Sequence, residues 1–469
     1  MLDLIRAELN GLYGAEVLKE MNQIIKLYNI YDGKGQDWKT DETDYTPTKK
    51  KTNYIKKLIK EEARFLFGKT PTFTIEHDNK EQAQIINEYI DKLLDNNLFK
   101  DKLIKAARDC FIGKRIAIKL HADTVTKDVK IMFVPSLEFV YEPFDDRVDE
   151  LKKIIFFHQM NQELEKSKQI IWKQKYEMIN GKCILSEGFY NGHGQLLEIL
   201  ADNIDLKLSG IPAYVILNDG LSGDFKGESD VEELLDNANT YNILSSEDVD
   251  AIKKGMHRII YGIDVDTEAS KLFKIKPGAY WDVATEPTVA EGKQATINTI
   301  GTDFAYSEKI ESTLQRIKSD MHEVLNVPML SNSDLQGMMT SGKTMKALYW
   351  QLITRCEEKM MSWRPALEWM IHAILEIVEV YNIEQLPKLK DFTVNVENQY
   401  PLQEDEDDEM TLDLQKVNAQ VMSKKTFMKK WYNYTDDIAD EELKQIQLEK
   451  QLLEDSYSQF ETDLGEGEE

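Results

Sequence analysis

Basic residues are under-represented in this 469-residue chain: 58 Lys and Arg face 84 Asp and Glu, a formal charge of −26. That balance argues against a surface built to grip nucleic acid by neutralising phosphates. Residues 401–469 alone carry 7 basic and 20 acidic side chains, a net −13. The runs QEDEDDE and LGEGEE there read as a solvated linker and a disordered tail. Cysteine is scarcer still. Cys110, Cys183 and Cys356 are odd in number and far apart, matching neither a disulfide framework nor a zinc pattern, and read as reduced thiols. None of the 7 histidines has a second His or Cys at ligand spacing, so His322 and His372 read as packing or surface residues and no metal or cofactor is expected. No apolar run reaches the roughly 18 residues a bilayer span needs; the best, Met370 to Tyr381, is interrupted by Glu376 and Glu379. The start, MLDLIRAELNGLYGAEV, lacks the features of a secretory leader, so the chain is expected to stay in the cytoplasm.

What is present reads as globular, with 42% hydrophobic and 30% charged residues and length for two to four subregions. In 51–67 the residues Ile55, Leu58, Ile59, Ala63 and Leu66 recur at helical spacing up to Gly68, and further helices are expected over 80–98 and 100–111. The period then changes. RIAIKLHAD, DVKIMFVP, LKKIIFFHQM, KQIIWKQKYEMI, KCILSEGFY and AYVILND are short β-branched or aromatic runs between turn signals. Residues 1–230 are therefore expected to form an α+β domain with a mostly antiparallel sheet. A helix follows from 231 to 259, striped by Leu234, Ala238, Tyr241, Ile252, Met256 and Ile259, with Ser245-Ser246 marking where it could break. Short strand-like pieces fill 260–302. A second amphipathic helix over 303–325 has a narrow seam of Tyr306, Ile310, Leu314, Ile317, Met321 and Val324, ended by Pro328. A polar stretch then leads into a long helical pattern from Lys343 to about Asn382, in which Pro365 predicts a kink. A short strand, DFTVNV, and two helices, TLDLQKVNAQVM and ADEELKQIQLEKQLLEDSY, complete the chain.

One motif suggests catalysis. Gly337 to Thr344 satisfies G-x-x-x-x-G-K-[ST], the pattern of a phosphate-cradling loop. That loop works when a buried strand delivers the chain to a tight turn ahead of a helix N-terminus. Here the preceding residues are SNSDLQ, and no hydrophobic strand ending in a magnesium-binding Asp is evident. Nor is there a G-x-S-x-G elbow or an H-E-x-x-H pair. The sequence offers no positive case for an enzyme; the glycines at 337 and 342 read as chain reversals before a helix.

Four phrases, in order, resemble the portal proteins of tailed bacteriophages, of the type found in phages of Gram-positive hosts. They are NYIKKLIKEEARFLFGKTPTF (53–73), GESDVEELLDNANTYNILSSEDVD (227–250), SGKTMKALYWQLITRCEEK (341–359) and SKKTFMKKWYNYTDDIADEELKQIQLEK (423–450). In the second, Gly227, Ser229, Asp230, Tyr241, Asn242 and Ser246 carry the match; in the first, Thr70 separates Lys69 from Pro71, a small departure.

The resemblance implies a wing over 1–230, a two-helix stem at 231–259 and 303–328 around a small α/β clip at 260–302, and a tunnel loop at 329–342. A long kinked helix returning to the wing (343–400) and crown helices with an acidic tail (401–469) would follow. It also implies a homo-oligomeric ring, usually a dodecamer, at one capsid vertex of the virion. Double-stranded DNA would pass through it without sequence specificity during packaging and ejection. The expected partners are the terminase large subunit, head-completion or connector proteins, and major capsid and scaffolding proteins, with no membrane, no cofactor and no metal. On this reading Asn332, Asp334, Gln336, Met338, Met339 and Lys343 face moving DNA. Lys343 either contacts phosphate lightly or is a solvated lysine at a helix start. Leu234, Ala238 and Tyr241 would pack the stem against Ile310, Leu314, Ile317 and Met321, and Tyr261, Phe273, Tyr280 and Trp281 would meet partners at the clip. The alternatives are a nucleotide hydrolase using Gly337–Thr344 and a capsid adaptor without a tunnel.

Overall fold

The computed structural model describes residues 11–34, 46–123, 125–147, 149–256, 259–266, 283–288, 294–300, 307–329, 342–389, 391–402, 406–432 and 434–465. The chain divides into two compact units, one of 1–329 with 351–401, the other of 330–350 with 402–469.

The first unit is α+β. Helices α1 (Gly11–Tyr31) and α2 (Tyr54–Phe67) precede strand β1 (Thr72–Glu76), α3 (Lys80–Asn96) and α4 (Phe99–Gly113). α2 starts where Asn53 caps it, its side chain accepting from the Lys56 amide at 2.9 Å. Strands β2 (Arg115–Asp123), β3 (Asp128–Pro135), β4 (Phe139–Pro143), β5 (Leu151–Gln159), β6 (Ile171–Ile179), β7 (Lys182–Tyr190), β8 (Leu196–Asp205) and β9 (Ala213–Leu217) follow. Every pairing is antiparallel, but the strands divide into two sheets, ordered β3-β2-β9 and β4-β5-β6-β7-β8. The division falls at the tight turn after Pro135, where the Glu138 amide returns to the Pro135 carbonyl.

This layering explains the unbroken run IIFF in β5. Ile154 and Phe156 face one core with Ala117 of β2 and Ala213 of β9, while Ile155 and Phe157 face the other with Val17, Leu18, Met21 and Ile24 of α1. A strand covered on both faces has no polar side to show. α1 is tied in further by a buried bidentate pair, Arg115 to Glu20 at 2.8 and 3.2 Å. The three cysteines are buried and unpaired, and burial pushes their thiols up, which suits packing rather than nucleophilic chemistry.

Past the sheets come α5 (Asp230–Met256), β10 (Ile259–Ile263), β11 (Thr296–Ile300) and α6 (Ser307–Val324), then α7 (Gly342–Leu348), α8 (Trp350–Val380) and β12 (Thr393–Glu397). β12 returns to pair with β1, Val396 opposite Phe73. α8 runs through Pro365, which sits on an exposed face, where a carbonyl freed of its amide partner can meet water. α5 is unbroken at Ser245-Ser246, contrary to the break the serines suggested. Ser246 Oγ donates to the Asn242 carbonyl one turn back at 2.7 Å and stays inside the helix. Ile259 is the first residue of β10, not the last of the helical stripe.

The second unit is helical, with α7 followed by α9 (Glu406–Asn418), α10 (Lys424–Tyr432) and α11 (Asp436–Gly465). Residues 406–409, expected in a linker, belong to α9 instead. Ser423 caps α10 by accepting from the Thr426 amide at 3.1 Å. Buried Asp413 gathers Lys416 and Lys430, each at 2.7 Å, and Trp431 Nε1 at 3.3 Å. Hydrogen bonds from the two lysines hold its carboxyl down at about 2. The last residues of LGEGEE, 466–469, lie outside the described residues.

Candidate functional site

Three of the phrases singled out in the sequence meet at one place, the root of α5. The loop entering it makes a left-handed turn at Gly227 (φ +71), and Ser229 Oγ then donates to the Ile112 carbonyl at 2.7 Å. Asp230, 1% exposed, follows as the first helical residue. Its Oδ1 accepts from Asn218 Nδ2 at 3.0 Å and Arg355 Nη2 at 3.2 Å, and its Oδ2 from Lys359 Nζ at 3.0 Å. Lys359 also donates to Asn218 Oδ1 at 2.8 Å and lies over the Phe111 ring at 4.3 Å. Arg355 Nε donates to Glu62 Oε1 at 2.8 Å, and Glu233 stands 3.5 Å from Arg355 Nη2. α2, α5 and α8 are thus joined through one desolvated ionic network.

The network holds three carboxylates against two cations, and Glu62 Oε2 has no protein partner. Burial, reinforced by Asp230, raises Glu62 to about 7 despite Lys359 and Arg355. Burial likewise raises Glu233. Burial opposes the charges of Lys359 and Arg355, yet Asp230 and Glu62 hold both groups above their ordinary ranges.

A pH dependence follows. Between the ordinary glutamate value of 4.5 and about 7 the folded chain keeps a proton on Glu62 that the unfolded chain releases. Stability contributed by this group therefore falls as pH rises through that window, by at most about 1.4 kcal/mol per pH unit. Urea midpoints measured across the window should show the fall, and Glu62→Gln should flatten it.

From this root α5 and α6 pack side by side, with the β10–β11 hairpin between them in sequence. Leu234, Ala238, Ile317 and Met321 are buried. Ile310 and Leu314 are half-buried, and Tyr241 meets Tyr54 of α2 edge-on at 5.0 Å. Ile252 and Val324 remain 42% and 37% exposed, so the apolar seam is incompletely covered within one chain. Buried His322 packs at the end of α6, Nδ1 donating to the Val327 carbonyl at 3.1 Å, and burial lowers its pKa. His372 stacks on Phe392 at 4.7 Å. Tyr261 is an exposed residue of β10; Phe273, Tyr280 and Trp281 lie outside the described residues.

So do Asn332, Asp334, Gln336, Met338 and Met339, along with Gly337 itself. Lys343 is in the first turn of α7. The described residues leading towards Gly337, 325–329, contain no strand. Among the described residues no group of three His, Cys, Asp or Glu is placed to hold a metal, and no helix is long and apolar enough to cross a membrane.

The joint itself was not anticipated, although its signal is present. Lys359 interrupts an apolar stripe of buried Leu352, Cys356, Met360 and Trp363 on α8, and a lysine in such a stripe needs a buried partner.

The family model described as "Phage portal protein, SPP1 Gp6-like" matches residues 13–454. The chain belongs to this phage portal protein family. No curated protein sequence matches it. Among solved structures, a chain of the "Neck of empty GTA particle computed with C6 symmetry" is similar at 9% identity and a TM-score of 0.40, covering 78% of this chain and 85% of that one.

Proposed function

We propose that this protein is the subunit of a ring at one vertex of a phage capsid, a dodecamer whose channel carries double-stranded DNA in during packaging and out at ejection. The observation that carries this is the α5–α6 pair. α5 rises from the buried joint and packs beside α6, with a small antiparallel insert between them in sequence, and part of their apolar seam stays exposed. A seam of that kind is completed by the same pair in neighbouring copies. Family membership supports the reading.

In this arrangement β10–β11 and its flanks form the clip that receives the terminase large subunit and later the head-completion proteins. Residues 329–342 line the tunnel, and the body contacts capsid and scaffolding proteins. Assembly takes place in the host cytoplasm, and the ring ends in the virion. The role is structural, with translocation energy supplied by the separate motor. The strongly acidic composition suits a conduit, because every lysine held on a phosphate would tighten its grip on DNA that must slide.

Electron micrographs of the purified protein should show rings with a central hole. Deleting 330–341 should leave the rings intact and abolish DNA packaging. A strictly monomeric protein at all concentrations, or packaging unaffected by the deletion, overturns the proposal. Magnesium-dependent nucleotide hydrolysis lost in Lys343→Ala would favour the hydrolase instead.

A further inference from the structure

Residues 46–52, between α1 and α2, run along α5 and are held there through their backbone. The amides of Thr48, Lys50 and Thr52 donate to Asp250 Oδ2 at 2.8 Å, Ser246 Oγ at 2.9 Å and Asn242 Oδ1 at 2.8 Å. The Thr48 hydroxyl donates to the other Asp250 oxygen. The strap runs opposite to the helix, two residues of one matched to four of the other. Two extended residues span about 6.6 Å and four helical residues about 6.0 Å, so the two periods stay in step over these rungs. Lys49, Lys50 and Lys51 are exposed. Polar rungs to the backbone are thus a principal hold on this part of the strap.

α5 therefore has two kinds of anchor. Its N-terminus is fixed by the ionic joint at Asp230, a buried network that opens only with the fold. Its middle, 242–250, is fixed by a short row of hydrogen bonds whose acceptors Asn242, Ser246 and Asp250 are buried beneath the part-exposed strap, and the Lys253 Nζ bond to the Thr48 hydroxyl is the last contact of the row. We propose that the strap is a releasable clamp that sets how far α5 is rigid. Engaged, it makes α5 one body with α1 and α2 as far as Asp250. Open, it lets the helix bend beyond its Tyr241 contact and shift the β10–β11 end while the core stays folded. This rests on the geometry of the strap and is independent of whether the ring carries DNA.

Hydrogen–deuterium exchange on the full chain tests it. In the unaltered protein, peptides spanning 46–53 should exchange at least about tenfold more slowly than an unstructured reference. Asn242→Ala and Ser246→Ala should each speed the strap by about tenfold. Lys50→Pro removes one donor without changing any residue of α5, and it should speed both the strap and the helix over 243–256; Lys51→Ala should change neither. A strap that already exchanges at the unstructured rate overturns the clamp. So does a strap freed by Asn242→Ala or Lys50→Pro while exchange in α5 stays as it was.

Discussion

Asp230→Ala should destabilise the first unit by about 3–5 kcal/mol, the range expected when one partner of a buried ionic network is removed and its cations stay desolvated. Asp230 is the one carboxylate that accepts from Lys359, Arg355 and Asn218 together. Without it Lys359, 6% exposed, keeps its charge beside Phe111 with Glu62 Oε1 at 3.6 Å as the remaining anion. The loss should appear as a lower urea midpoint with an unchanged slope. Asp230→Leu combined with Lys359→Met removes both charges and should recover more than half of it, because the attraction within such a pair roughly offsets the cost of burying it. If the single change costs under about 1 kcal/mol, water reaches the joint and it does not hold α5 to α8.

The secondary structure was legible where local composition and turn signals agree. The short β-branched or aromatic runs RIAIKLHAD and KCILSEGFY, bounded by turns, give β2 and β7 at their observed ends, and the 3.6-residue stripe of 51–67 gives α2. β8 was not legible. Its residues LLEILADNID are almost all exposed, so no face selects a pattern, and it is held to β7 through several register shifts. The joint was not legible either, because Glu62 and Arg355 are 293 residues apart and no local rule pairs them. The strap hides for a different reason. Asn242, Ser246 and Asp250 form a visible polar row on α5, but what they hold is backbone N–H, which nearly every residue possesses. The phrases that carry the family resemblance were legible as sequence and obtain their physical meaning only here: Asp230, Arg355 and Lys359 are ionic, Ser229 and Gly227 shape the entry to α5, and Asn242 and Ser246 are rungs.

Gly227→Ala should be as damaging as the loss of a joint charge although it alters no charge. At φ +71 a residue with a Cβ is strained by about 1–2 kcal/mol. The added carbon would also lie 2.3 Å from the Lys114 carbonyl oxygen and 3.2 Å from that of Asn218, both backbone atoms that no side-chain rotation can move. That Lys114 carbonyl accepts the Asn218 amide at 2.8 Å, and the Asn218 carbonyl accepts the Glu228 amide at 2.7 Å. Relieving the clash therefore drags Asn218, whose side chain bridges Asp230 and Lys359. A total of about 3 kcal/mol or more is expected, read from thermal or urea unfolding. Because strain and ionic network share Asn218, the double variant Gly227→Ala with Asp230→Ala should lose clearly less than the sum of the two single changes. Additivity within about 0.5 kcal/mol would mean that the glycine turn and the ionic joint act as separate devices.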